Sequence, residues 1–232
     1  MTAQETEPLY VFARWMLGSH EAAFEAVCAA VEHAPGDPAA QMRILVADLT
    51  AEKSAGVDRF EELDQILRTD STVPLDLDHP LVRGDAQRLH VLMLELQRTC
   101  LMTALRGIPA ARRAIFVLMH VMGLPMDDCV AICESTMGAI RVLETRARKT
   151  LEGYLTTRCE HLDRGNACHC GARLGGALER EFVTWPEHGD YAGAGAPGRY
   201  HRVTDLYANL PRVRLPVLRP DGKTIAKGPE PT

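Results

Sequence analysis

Aromatic residues are scarce in this chain: Phe, Trp and Tyr make up 5% of its 232 residues. The stretch 41–48 (QMRILVAD) has none. Single-stranded nucleic acid is held by bases stacking on aromatic rings over a positive groove, and this stretch offers no such platform. No apolar run approaches the ~20 residues of a membrane span, so no membrane partner is expected. The opening MTAQETEPLY lacks the basic start and apolar core of a signal peptide, and the expected location is cytoplasmic. No P-loop, H-E-x-x-H or G-x-S-x-G occurs, and the chain is not read as an enzyme. Asp127-Asp128 are read instead as carboxylates opening a helix, where they favour its dipole. Seven cysteines, an odd number scattered over the whole length, exclude a secreted disulfide framework. No internal repeat is present, and nothing near the start patterns as strand.

What the chain does have is helical periodicity, densest between Leu101 and Leu155. Apolar residues recur there at three- and four-residue steps, as in Ile140, Leu143, Ala147, Leu151 and Leu155. Pro109 and Gly123-Leu124-Pro125 cut this run into a lead helix, a middle helix and a closing pair. The closing pair is a short helix at about 127–133, a turn at Glu134-Ser135-Thr136, and a longer helix that Thr136 is placed to cap. Two helices joined by so short a turn form a helix-turn-helix, whose second helix can enter a major groove. Charge agrees with this assignment. Residues 1–100 hold eight Lys and Arg against seventeen Asp and Glu, whereas residues 101–158 hold eight against five. A basic module after an acidic half suggests nucleic acid for the former and a protein partner for the latter.

The run GLPMDDCVAICESTMGAIRVLETRARKTLEGYL resembles region 4 of sigma-70-type initiation factors, above all the extracytoplasmic-function (ECF) sigma factors. The matching elements are Gly123-Leu124, Asp127-Asp128, Ala131-Ile132, Thr136, Gly138, Ile140-Arg141 and Arg146-Ala147-Arg148-Lys149. The resemblance implies that Thr136 and Arg141 contact DNA at a minus-35-like element, with Arg146, Arg148 and Lys149 supplying phosphate charge. It also implies core RNA polymerase and promoter DNA as partners, with an anti-sigma factor as a further one. Val142 and Leu143 stand where such factors usually carry Lys or Arg, and Glu144 sets a carboxylate beside them.

Before this module, three short helices are expected: Leu9 to Gly18, a second capped by Ser19 and reaching about His33, and a third opened by Asp37-Pro38. LYVFARWMLGSHEAAFEAVCAAVEHA is similar to the start of ECF sigma region 2, in a degenerate form. The acidic segment between, with one helix at about 61–68, reads as a linker. The long lead helix is expected from Leu81.

After Leu155 the sequence TTRCEHLDRGNACHCGARLGGAL holds Cys159, Cys168 and Cys170 in a C-x8-C-x-C pattern, with His161 and His169 interleaved. A turn at Gly165-Asn166 can bring Cys159 back to the pair. Three thiolates with one imidazole make a closed zinc set, and a Cys-x-Cys bite also suits Cu(I). The same pattern looks like the tail of an ECF subgroup, and copper-responsive members carry a cysteine-rich C-terminal domain. Cys28, Cys100, Cys129 and Cys133 occupy apolar helical positions and read as small buried hydrophobes. From Gly171 the sequence loosens. Residues 192–198 (AGAGAPG) read as a flexible linker, Val203 to Leu215 as a closing helix, and His188 and His201 as isolated loop residues.

The expectation is therefore an all-α protein of two small helical bundles and a loop-rich, cysteine-containing extension. The divisions are 1–55 (region 2-like), 56–84 (linker), 85–157 (region 4-like) and 158–232 (extension). Three functions fit: an ECF-type sigma factor tuned by a metal-binding tail, a sigma-like regulator that docks on polymerase or an anti-sigma factor without initiating transcription, or a metal-sensing or metal-storing protein on a helical scaffold.

Overall fold

The computed structural model describes residues 3–51, 60–69, 75, 78–80, 82–186, 189–191, 198–210 and 212–213. The expectations for His188, residues 192–197 and much of the linker lie outside these. The described part is all-α except for two antiparallel two-residue strands, β1 (Gly189–Asp190) and β2 (Arg212–Val213). Among the described residues no helix is long and apolar enough to cross a membrane.

Local chemistry sets the first three helices. α1 (Ala3–Leu17) starts earlier than the apolar pattern indicates. Gly18, at φ +79°, reverses the chain. Ser19 then caps α2 (His20–His33), accepting from the Ala22 amide at 3.3 Å. Asp37 caps α3 (Pro38–Thr50) through the Ala40 amide at 2.9 Å, with Pro38 in the first turn.

Next come α4 (Glu61–Thr69) and α5 (Ala86–Arg106). The latter begins later than Leu81, because Arg83 (φ 54°) and Gly84 (φ 73°) are left-handed and only Asp85 caps a regular helix. α6 (Ala110–Phe116) runs on into a π-helical turn, Val117–Val121. α7 (Met126–Ile132) and α8 (Met137–Leu155) complete the helix-turn-helix.

Two findings correct the loop-rich extension. Cys170 opens a regular helix, α9 (Cys170–Glu179), whose Leu174, Ala177 and Leu178 pack on Leu92 and Leu96 of α5. Burying that apolar face is what makes a glycine-containing segment helical. In contrast, α10 (Val203–Ala208) is shorter than the expected 203–215. Leu210 precedes Pro211, which disfavours helical backbone.

Besides this α5–α9 cluster, a larger core joins the other helices. Leu9, Phe12, Trp15 and Met16 of α1 join Met42 and Leu45 of α3, Leu101 and Leu105 of α5, Ile115 and Phe116 of α6, and Ile140 and Leu151 of α8. α1 packs on α5 and α6, and α3 packs on α6 and α7. The N-terminal helices are thus seated on the helix-turn-helix module. Tyr207 of α10 pins the centre: its ring meets Phe116 at 5.0 Å and Trp15 at 6.0 Å, and its hydroxyl donates to the Leu101 carbonyl at 2.7 Å.

Candidate nucleic-acid interface and thiol pocket

The turn between α7 and α8 is built by Glu134 at φ +47° and by the Ser135 amide, which donates to the Val130 carbonyl at 3.2 Å. Thr136 caps α8, its hydroxyl oxygen accepting from the Ala139 amide at 3.2 Å. That leaves its own hydroxyl hydrogen for an external acceptor. Ile140, Ala147, Leu151 and Leu155 are buried, which fixes how the helix is rotated. Arg141, Val142, Arg146 and Lys149 consequently face solvent. Met137 and Val142 are exposed apolar residues on this helix.

The basic residues divide into two groups. Arg141, Arg146 and Lys149 are exposed and, among the described residues, make no ion pair. Arg148 is only partly exposed and lies between two carboxylates, Glu144 at 3.1 Å and Glu152 at 3.2 Å. Burial opposes its charge, but Glu144 and Glu152 outweigh burial and raise its pKa. Glu144 also meets the His120 ring at 3.1 Å, so its carboxylate is turned inward and away from the exposed stripe. At the turn, Arg43 of α3 approaches Glu134 at 3.9 Å.

The cysteines of the extension come together through backbone pairing. Cys159 and Cys168 form a parallel bridge, with the Glu160 amide donating to the Cys168 carbonyl at 3.3 Å. Asn166 closes the intervening turn by donating to the carbonyls of Thr156 and Cys159, at 2.8 and 3.0 Å. Cys159, Cys168, Cys170 and His161 all line one pocket of about 20 Å³. Leu63 and Leu67 of α4 and Cys100 and Leu101 of α5 form other walls.

Of the two candidate histidines, only His161 points into this pocket. It is buried, its Nδ1 lies 2.9 Å from the Gly198 carbonyl, and its Nε2 lies 3.4 Å from Cys170 Sγ. His169 is half exposed and pairs with Glu160 at 2.9 Å. The second Glu160 oxygen accepts from the Cys170 amide. Burial disfavours the Glu160 carboxylate, but these two partners outweigh it and its pKa is lowered. The thiols are held protonated chiefly by burial: Cys159 is pushed up to about 11, Cys168 is raised, and Cys100 and Cys170 stand well above the usual thiol range. Among the described residues, Glu160, His161 and Cys170 bring ligand atoms within 4.8 Å of one another.

Cys100 was not among the candidates that spacing suggests. Nothing local marks it, since it sits at an apolar helical position far upstream of the other thiols. No family model, no curated protein and no solved structure matches the chain.

Proposed function

We propose that the chain is an RNA polymerase sigma factor of the extracytoplasmic-function type. On this reading it acts in the cytoplasm, binds core polymerase through a region 2-like bundle formed by α1–α3, and reads a minus-35-like promoter element with α8. The extension holds zinc or copper through Cys159, Cys168, Cys170 and His161 and tunes that activity. The observation that carries the reading is the helix capped by Thr136, with Arg141, Arg146 and Lys149 exposed along it and, among the described residues, without an ion-pair partner. A free cation on a helix that can enter a groove gains counterion release at each phosphate it meets. The ordered resemblance over residues 123–155 supports the same assignment.

A second reading has its own support. Arg148 is neutralised within α8, and Met137 and Val142 put apolar surface on the helix that would face DNA. Such a face suits a protein. This version of the chain docks on polymerase or an anti-sigma factor without initiating transcription.

Run-off transcription with purified core polymerase and genomic fragments separates the two. Discrete transcripts sharing an upstream element are expected for the initiation factor. Polymerase binding without transcripts would establish the regulator in its place.

A further inference from the structure

We infer that Cys100, on α5, is a ligand of the metal held by the C-terminal thiols, so that the ion clamps the extension to the helix leading into the helix-turn-helix. This rests on the extension's being metal-binding and adds a ligand from outside it.

The pocket is the first argument. Cys100 lines it together with Cys159, Cys168, Cys170 and His161, and most of the remaining wall is apolar: Leu63, Leu67, Leu101 and Leu155. Its volume of about 20 Å³ exceeds the ~10–15 Å³ that one water needs, so a single ion fits. Gln97, Tyr154 and Arg158 complete the lining, and no carboxylate is among it; thiols and an imidazole are donors that suit zinc and copper(I) rather than hard cations.

His161 is the second. A carbonyl can only accept, so the nitrogen facing Gly198 carries the proton, and the lone pair of Nε2 is aimed at Cys170 Sγ. Metal-bound imidazoles are held in this way, with the far nitrogen donating to a backbone carbonyl.

The third argument is elimination. His169 does not line the pocket and is tied to Glu160, whose other oxygen is taken by the Cys170 amide. Cys100 is the cysteine that faces the extension's thiols from another element. His161 and Cys170 already lie at ligand spacing, and Cys100, Cys159 and Cys168 line the same pocket.

The test is zinc affinity of the full chain under reducing conditions, by competition with a chromophoric chelator and repeated with copper(I). Cys100→Ser and, as a control outside the pocket, Cys28→Ser are compared with the parent. Cys100→Ser is expected to weaken binding by more than about tenfold, the least that losing even a residue that merely orients a ligand costs. Cys28→Ser should bind like the parent. Unchanged affinity in Cys100→Ser would overturn the inference while leaving the metal-binding extension intact. A parent that binds neither metal would remove both.

Should Cys100→Ser fail to fold without metal, the parent itself decides the matter through alkylation followed cysteine by cysteine, with and without zinc. Protection of Cys100 alongside Cys159, Cys168 and Cys170, at an unchanged rate for buried Cys129, supports ligation. Equal protection of Cys100 and Cys129, or none at Cys100, overturns it.

Discussion

At the scale of single residues, α8 separates charges that look equivalent in sequence. Arg141 and Arg148 both belong to the basic row, yet one is exposed and the other is held by Glu144 and Glu152. If α8 lies along DNA, Arg141→Ala should reduce the slope of log affinity against log salt by about one. Arg148→Ala should change it much less, because that charge is already compensated within the helix. Fluorescence anisotropy of duplex DNA across a salt series measures both, and equal slope losses would refute the distinction. Tyr207 yields a stability prediction at the same scale. Tyr207→Ala should cost about 3–5 kcal/mol by opening a cavity between Phe116 and Trp15. Tyr207→Phe removes only the hydroxyl bond to Leu101 and should cost about 0.5–1.5 kcal/mol. Urea denaturation of the two variants gives the comparison.

At the scale of elements, what is legible in sequence is what is decided locally. Ser19, Asp37 and Thr136 each accept from an amide three residues on, a pattern visible in a few letters. Thr136→Ala should therefore cost about 1 kcal/mol of stability, measurable by thermal melting, whatever α8 binds. α4 illustrates the opposite case. Its existence follows from apolar spacing, but its seat does not: Phe60 stacks on Tyr154 at 3.8 Å, and Asp64 accepts from the Tyr154 hydroxyl at 2.7 Å while lying 3.5 Å from Arg158. Burial first, then Asp64, raises the Tyr154 pKa, so this phenol stays protonated and remains a donor. Asp64→Ala should undock α4, seen as faster amide exchange over 61–69 while the exchange of α8 is preserved. α9 escaped the sequence reading because three glycines lie within its ten residues, at 171, 175 and 176. Glycine weakens a helix in isolation, and only the face of α5 makes burial of Leu174 and Leu178 worthwhile. Cys100 escaped for the same kind of reason, since its neighbours are set by tertiary packing and not by spacing.

At the scale of the whole molecule, helical periodicity gave the all-α class, whereas the relation between its parts came only from the packing. A boundary at residue 55 is natural where the acidic segment begins, yet Trp15 and Leu45 share one core with Leu105, Phe116 and Ile140. Arg113 adds a polar tie across the same seam, donating to the Met16 carbonyl at 2.9 Å. A shared core couples the stability of both halves, because opening the seam would expose Trp15, Phe116 and Tyr207 together. The expected consequence is a single cooperative unfolding transition, with tryptophan fluorescence and far-ultraviolet dichroism changing together and calorimetric and van't Hoff enthalpies equal. Arg43→Ala should leave this unchanged, since the Arg43–Glu134 pair is solvent-exposed and such pairs contribute little. Phe116→Ala should lower the midpoint for both probes equally. Separate transitions for the two probes would mean that α1–α3 form an independent module resting on the helix-turn-helix. In that event the N-terminal bundle could swing away from α7 and the turn at Glu134 without unfolding either half, and the seam would become the natural place for a partner to intervene.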